Sequence, residues 1–333
     1  MFSWNLIGHE AITTHLEAAI KNHKLAHAYL FCGAKQLGKK TLVKKFIQTI
    51  LCYEQNYGAE QIPCGVCEHC LETAKNTHTD IFWLKKETDK KDITVEQIRE
   101  LQNNLSLHSF FKSYKIGVIE EAENLNLASA NALLKTLEEP SAKVILILIT
   151  NKANQLPATI ISRVQKIKLL PIAHKKIYDY LMATGKTREE AKILAHLSTG
   201  RPGRALSFLK IPEFWNSYQS QTKLFFSLLN NSKTNKIKFA ANVLANKDIT
   251  DKSKVILPLL NIWQILSRDL LLSKMNQNDK IINIAEQEKI SLISQRYPLS
   301  KILAQQKQIE QTKIMLAMNV NPRLALENLL FKF

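Results

Sequence analysis

The chain has 333 residues, 45% hydrophobic and 23% charged, more than one hydrophobic core usually serves, so two or three domains are expected. Lys and Arg outnumber Asp and Glu by 46 to 29, a formal charge of +17 that suits a polyanionic partner such as nucleic acid, and equally suits a genome rich in Lys, Asn and Ile codons. The longest apolar run is only Val144 to Ile149, and Met1 to Glu10 lacks a basic start followed by a hydrophobic stretch, which argues against a bilayer span or secretory leader and predicts a soluble, cytoplasmic protein with no membrane partner.

Ile7 to Asn22 places Ile7, Ile12, Leu16 and Ile20 near one face and predicts a helix. Ala28 to Cys32 is a short apolar strand, with Cys32 a small core residue at its end. The strand enters Gly33-Ala34-Lys35-Gln36-Leu37-Gly38-Lys39-Lys40-Thr41, which fits the phosphate-binding pattern G-x-x-x-x-G-K up to Lys39 and then breaks it. Lys40 stands where a Ser or Thr hydroxyl would hold Mg2+, and Thr41 could serve instead only by a shift of register. Lys40 to Cys52 predicts the next helix, so strand, Gly-rich turn and helix follow in the order that aims backbone N–H groups at an anion. The bland alternative leaves Lys39 and Lys40 as solvated charges at a helix start, where the dipole disfavours cations.

Cys52, Cys64, Cys67 and Cys70 have metal-ligand spacing, with Gly65 easing the turn, and predict a tetrahedral Zn2+ site ahead of unliganded thiols or disulfides. Further on, Asp80 to Lys85 reads as a strand, and Val95 to Leu105 as a helix with Thr94 as N-cap. Lys115 to Glu120 reads as a strand ending in acids, Asn126 to Glu138 as a helix stopped by Pro140, and Val144 to Thr150 as a strand. Such alternation predicts an α/β parallel sheet with ligands at the strands' carboxyl ends.

After about residue 170 only helices are expected, from Lys175 to Thr184, Thr187 to Leu197, and then throughout Pro212 to Phe333. In that last segment Ile256, Leu259, Trp263 and Leu270 form a core or interface stripe. His27 and His78 read as structural histidines.

Six ordered motifs carry a resemblance. They are Leu25 to Phe31, the cysteine quartet, Glu120-Glu121-Ala122-Glu123, Asn131 to Pro140, Leu156 to Arg163, and Gly200 to Leu206. Through these the first 210 residues resemble the delta-prime family of subunits of the bacterial DNA polymerase III clamp loader. The resemblance implies a P-loop (AAA+) parallel-sheet domain over 1–170 with an inserted zinc module at about 52–70. It also implies a helical lid domain over 171–210 and an all-helical collar domain over 211–333.

The resemblance also implies a degenerate nucleotide site at Gly33, Gly38, Lys39, Lys40, Thr41, Glu120, Glu121 and Arg204, with ATP binding left open. Arg163 is implied to be an arginine finger acting in trans on a neighbour's nucleotide, Ser162 shaping its turn; the alternative is a salt bridge or cap within its own domain. The implied partners are gamma/tau ATPase subunits and delta, with the sliding clamp and primer-template DNA met through the assembled complex. Gamma/tau-type ATPase subunits share the motor fold, zinc module and Ser-Arg element, so an ATP-hydrolysing subunit of that type is the alternative, followed by a zinc-containing nucleic-acid binding protein. Three departures favour a non-hydrolysing stator: Lys40 adds a second cation, Gln36 replaces a glycine usual in the ATPase loops, and Glu120 stands where Asp is expected. The chain also ends after one collar-sized helical segment, without the long extension of some ATPase relatives.

Overall fold

The structure, a computed structural model, describes residues 2–53, 61–87, 90–111, 113–230, 233–243, 252–318 and 320–332; residues 54–60 of the expected zinc module lie outside these. The chain divides into two compact units, Met1–Tyr180 with Gly200–Arg204, and Leu181–Thr199 with Ala205–Phe333.

The first unit alternates helices and strands: α1 (Glu10–Lys21), β1 (Ala28–Cys32), α2 (Lys39–Leu51), α3 (Glu68–Lys75), β2 (Ile81–Leu84), α4 (Val95–Ser106), β3 (Lys115–Ile119), α5 (Leu127–Glu138), β4 (Val144–Thr150), α6 (Ala158–Ile161) and β5 (Gln165–Lys168). The five strands form one sheet in the order β2-β3-β4-β1-β5, and every pairing is parallel. Successive strand residues face opposite sides, so Tyr29 and Phe31 enter one core with Phe46, Val118 and Ile147. Ala28, Leu30 and Cys32 enter the other with Leu133, Leu146 and Leu148. Cys32 is thus a core residue, as its place at a strand end suggests.

The local signals behave as their chemistry requires. Thr94 Oγ1 accepts from the Gln97 N–H while Gln97 Oε1 accepts from the Thr94 N–H, a reciprocal cap that contributes about 1 kcal/mol to α4. Expected and observed boundaries differ by a few residues: the strand expected over Asp80 to Lys85 spans Ile81–Leu84, and α1 starts at Glu10. Asp80 instead turns its buried carboxylate to accept from Ser109 Oγ and the N–H groups of Phe110 and Phe111. His78 is buried, accepts from the Asp80 N–H and lies 3.0 Å from the His69 ring, a packed structural role. Three elements of this unit escape the sequence reading: α3, which is short and polar, α6, a single four-residue turn, and β5, an edge strand whose only buried residue is Ile167.

A helix α7 (His174–Ala183) is shared between the two units in the chain division, as is α9 (Pro202–Lys210); α8 (Arg188–Ser198) belongs to the second. The second unit continues with α10 (Pro212–Asn230), α11 (Lys233–Val243), α12 (Ser253–Lys274), α13 (Gln287–Arg296), α14 (Leu299–Ala317) and α15 (Pro322–Lys332). Its core gathers Phe225, Ile256, Leu259, Trp263, Leu270, Ile309 and Leu326, so the expected stripe is core. Among the described residues one stretch, Val255–Lys274, is long and apolar enough to cross a membrane by length and composition; it is also the helix around which this core packs.

Candidate functional site

Because β1, β3 and β4 are neighbours and parallel, their carboxyl ends lie along one edge of the sheet, and three loops meet there. The loop after β1 holds Gly33 to Gly38, the end of β3 carries Glu120, and β4 ends at Thr150 and Asn151. They enclose an open cavity of about 330 Å3 lined by Lys35, Gln36, Lys39, Lys40, Thr41, Glu120, Glu121, Asn151 and Gly203 among others.

Lys39 is buried. Its ammonium donates to Gly33 O at 2.7 Å, Ala34 O at 2.7 Å and Asn151 Oδ1 at 2.9 Å. Burial lowers its pKa to about 8, with the nearby Glu123 carboxylate opposing that shift. Glu123 in turn accepts from Thr150 Oγ1 at 2.7 Å and Asn151 Nδ2 at 2.9 Å. Burial pushes Glu123 up, but these hydrogen bonds outweigh it and hold the carboxyl below its ordinary value. Lys39 is therefore not a solvated charge: Asn151, which the sequence does not single out, orders the ammonium directly, and Glu123, present there only as the last acid of a motif, orders Asn151. The signal for Asn151 was positional: it follows a strand that neighbours the loop's own strand.

Lys40 extends over the cavity and pairs with Glu120 Oε1 at 2.6 Å, while Lys85 approaches Glu120 Oε2 at 3.6 Å. The Lys40 ammonium also lies 5.2 Å from the centre of the Trp83 ring. Mg2+ needs six oxygens at about 2.0–2.1 Å. Here the residue after the loop lysine offers an ammonium in place of a hydroxyl, and both Glu120 oxygens face cations. Neither Lys40 nor Glu120, as placed, offers Mg2+ an uncommitted oxygen. Glu121 lies at φ 50° and accepts from Asn124 Nδ2 at 3.4 Å, leaving it at the exposed rim.

Gln36 takes φ 66°, a conformation that glycine adopts at least cost. Its carbonyl accepts from Gly203 N–H at 2.9 Å, and a Cβ on Gly203 would meet that same oxygen at 2.8 Å. The close approach thus requires glycine. Arg204 is half-buried one residue further on. Arg163 sits apart from the cavity, its guanidinium donating to Thr159 O at 3.1 Å and Ser162 Oγ at 3.3 Å and pairing with Glu138 Oε1 at 2.9 Å.

The sulfur atoms of Cys52, Cys64, Cys67 and Cys70 all lie within 4.8 Å of one another. Cys64 Sγ and Cys70 Sγ are 4.0 Å apart, close to the roughly 3.8 Å edge that tetrahedral bonds of about 2.3 Å impose. Gly65 at φ 75° turns the chain so that Cys67 N–H donates to Cys64 Sγ at 3.3 Å, and Cys64 N–H donates to Cys52 Sγ at 3.4 Å. Burial raises the Cys64 thiol, but donors from Cys67 and Val66 outweigh it and bring the pKa to about 7. Four convergent sulfurs with N–H donors fit a soft tetrahedral metal ion, and Gln48 Nε2, donating to Cys70 O at 2.8 Å, fixes the cluster to α2.

The sheet order, the loop after β1 and the converging acids define a P-loop domain of AAA+ type with an all-helical unit after it. A family profile described as "DNA polymerase III, delta subunit" matches residues 8–173. The chain is 30% identical over 313 residues to DNA polymerase III subunit delta' of Pseudomonas aeruginosa, covering 92% of each chain. It is 32% identical over 207 residues to subunit delta' of Bacillus subtilis, covering 62% of this chain and 61% of that one. Subunit tau/gamma of Haemophilus influenzae is 33% identical over 177 residues, 53% of this chain and 25% of that relative. The chain thus spans between a quarter and three-fifths of the length of the last two relatives. It belongs to the delta-prime family of bacterial DNA polymerase III subunits.

Proposed function

We propose that this protein is a non-hydrolysing clamp-loader subunit, a stator that holds one end of an open ring of subunits. The observation that carries the reading is the ion pair between Lys40 and Glu120, because hydrolysis at such a site requires a metal ion where this chain holds an ammonium. An arginine finger supplied in trans is the chemistry left to it. Arg163, on the half-exposed surface after α6, would place a fixed positive charge against the phosphoryl group held by a neighbouring ATPase subunit. The Glu138 carboxylate holds that guanidinium until a phosphate competes for it.

In this reading the tau/gamma ATPases and delta are its partners, and the assembled complex loads the sliding clamp onto primer-template DNA in the cytoplasm. The cysteine cluster holds structural zinc, which cross-links the chain around 52–70 and takes no part in the chemistry. A lid over 171–210 and a collar over 211–333 complete the proposed domain plan. The competing reading, an ATP-hydrolysing tau/gamma-type subunit, draws on the shared first half of the chain. The deciding experiment measures ATP turnover by the purified chain alone, then by a mixture with its partner ATPase, using wild type and Arg163→Ala. No intrinsic turnover, with mixed activity that collapses in the variant, supports the stator. Robust turnover by the isolated chain overturns it.

A further inference from the structure

We infer that Lys40 is the resident cation of the loop cavity, and that the cavity takes a phosphate chain free of divalent metal. The inference deepens the reading of a silent nucleotide site and rests on it.

Both oxygens of Glu120, the carboxylate best placed to hold a metal's water shell, are committed to ammonium groups: Lys40 at 2.6 Å and Lys85 at 3.6 Å. A divalent ion approaching Glu120 would have to displace two cations and then sit beside them. Lys40 is also not free to swing aside without loss, since its ammonium lies over the face of Trp83 at 5.2 Å. A phosphate chain meets the opposite situation. Lys35, Lys39 and Lys40 line the cavity at the start of α2, whose first-turn N–H groups carry positive potential, and the 330 Å3 volume accommodates a diphosphate. A chain already complexed to Mg2+ brings an extra cation to a place that holds one and offers less charge to the lysines. The usual preference of a phosphate loop for the metal complex is therefore inverted, and Lys40 sets that selectivity.

The test uses inorganic pyrophosphate and ADP as probes of the full chain, with affinity read by calorimetry and by the shift in thermal unfolding midpoint. Wild type is expected to bind each probe several-fold tighter in EDTA than in excess MgCl2. Lys40→Thr, which supplies the missing hydroxyl and frees Glu120 Oε1 while Lys85 stays at Oε2, is expected to reverse the order, with magnesium improving affinity about tenfold. If the unliganded midpoint reveals that Lys40→Thr does not fold, Lys40→Gln replaces it and is expected to lose the preference for EDTA. Equal or tighter binding by wild type in magnesium overturns the inference, and so does binding in neither buffer. ATP turnover measured on the same samples keeps the two readings apart. Turnover by wild type sinks the silent site itself, whereas no turnover with a preference for magnesium sinks only the role given to Lys40.

Discussion

Arg163 Nη2 lies 2.9 Å from Glu138 Oε1, joining the turn after α6 to the last residue of α5. Both side chains are more than a third exposed, so the pair adds less than about 1 kcal/mol to stability. Glu138→Gln and Arg163→Ala should therefore unfold within a few degrees of wild type. Turnover by the mixed assembly should separate them: Arg163→Ala loses on the order of 10³-fold, as a trans-acting arginine would, while Glu138→Gln keeps most activity. Equal turnover in wild type and Arg163→Ala would leave Glu138 as the whole purpose of that guanidinium.

Burial of the Lys39 ammonium ties the stability of this unit to pH. The folded pKa is about 8 against an ordinary 10.5. Below pH 8 the lysine is protonated in both states, and the cost of burying its charge is fully present. Between 8 and 10.5 the unfolded chain binds more protons, so stability rises with pH and the cost is relieved. Relative to Lys39→Met, wild type should gain up to about 3 kcal/mol between pH 7 and 10.5 in denaturant titrations. A flat difference would mean the ammonium is better solvated than its three oxygen partners imply.

Metal analysis of protein purified without added zinc should find one ion per chain. Cys67→Ser should lose most of it, because three sulfurs leave the tetrahedron open. Chelation should lower the unfolding midpoint of wild type and leave Cys67→Ser nearly unmoved; the same drop in both would dissociate the cysteines from the metal.

In the second unit Asp269 is fully buried and accepts from Ile282 N–H, Asn283 N–H and Asn283 Nδ2. Burial raises its pKa, against which those three donors act. Asp269→Leu would orphan all of them in a dry core and should cost about 3 kcal/mol or more by chemical denaturation. A loss below 1 kcal/mol would mean that water reaches the site.

What was legible in the sequence was what is local. A strand, a glycine-rich turn and a helix announce the phosphate loop within twenty-odd letters, and Thr94 announces its helix because the cap bonds across three residues. The cysteine spacing likewise survives into geometry because Gly65 and the start of α3 complete the turn locally. What was hidden depends on sheet order. Lys39 and Asn151 are 112 residues apart in sequence, and only the adjacency of β1 and β4 brings them within 2.9 Å. Lys40 could be seen to be misplaced for a metal site, but its partnership with Glu120 requires β3 to lie one strand beyond β4. The edge strand β5 was missed because Gln165, Lys166 and Lys168 leave a single buried side chain to signal it.

One helix has Lys39 as its first residue and Cys52 as its C-terminal cap. Its thirteen residues form a rod about 20 Å long, with the phosphate loop at one end and the sulfur cluster at the other. Gln48, three residues from the far end, ties that rod to Cys70. A metal held by the sulfurs would therefore also steady the helix from which Lys39 and Lys40 project.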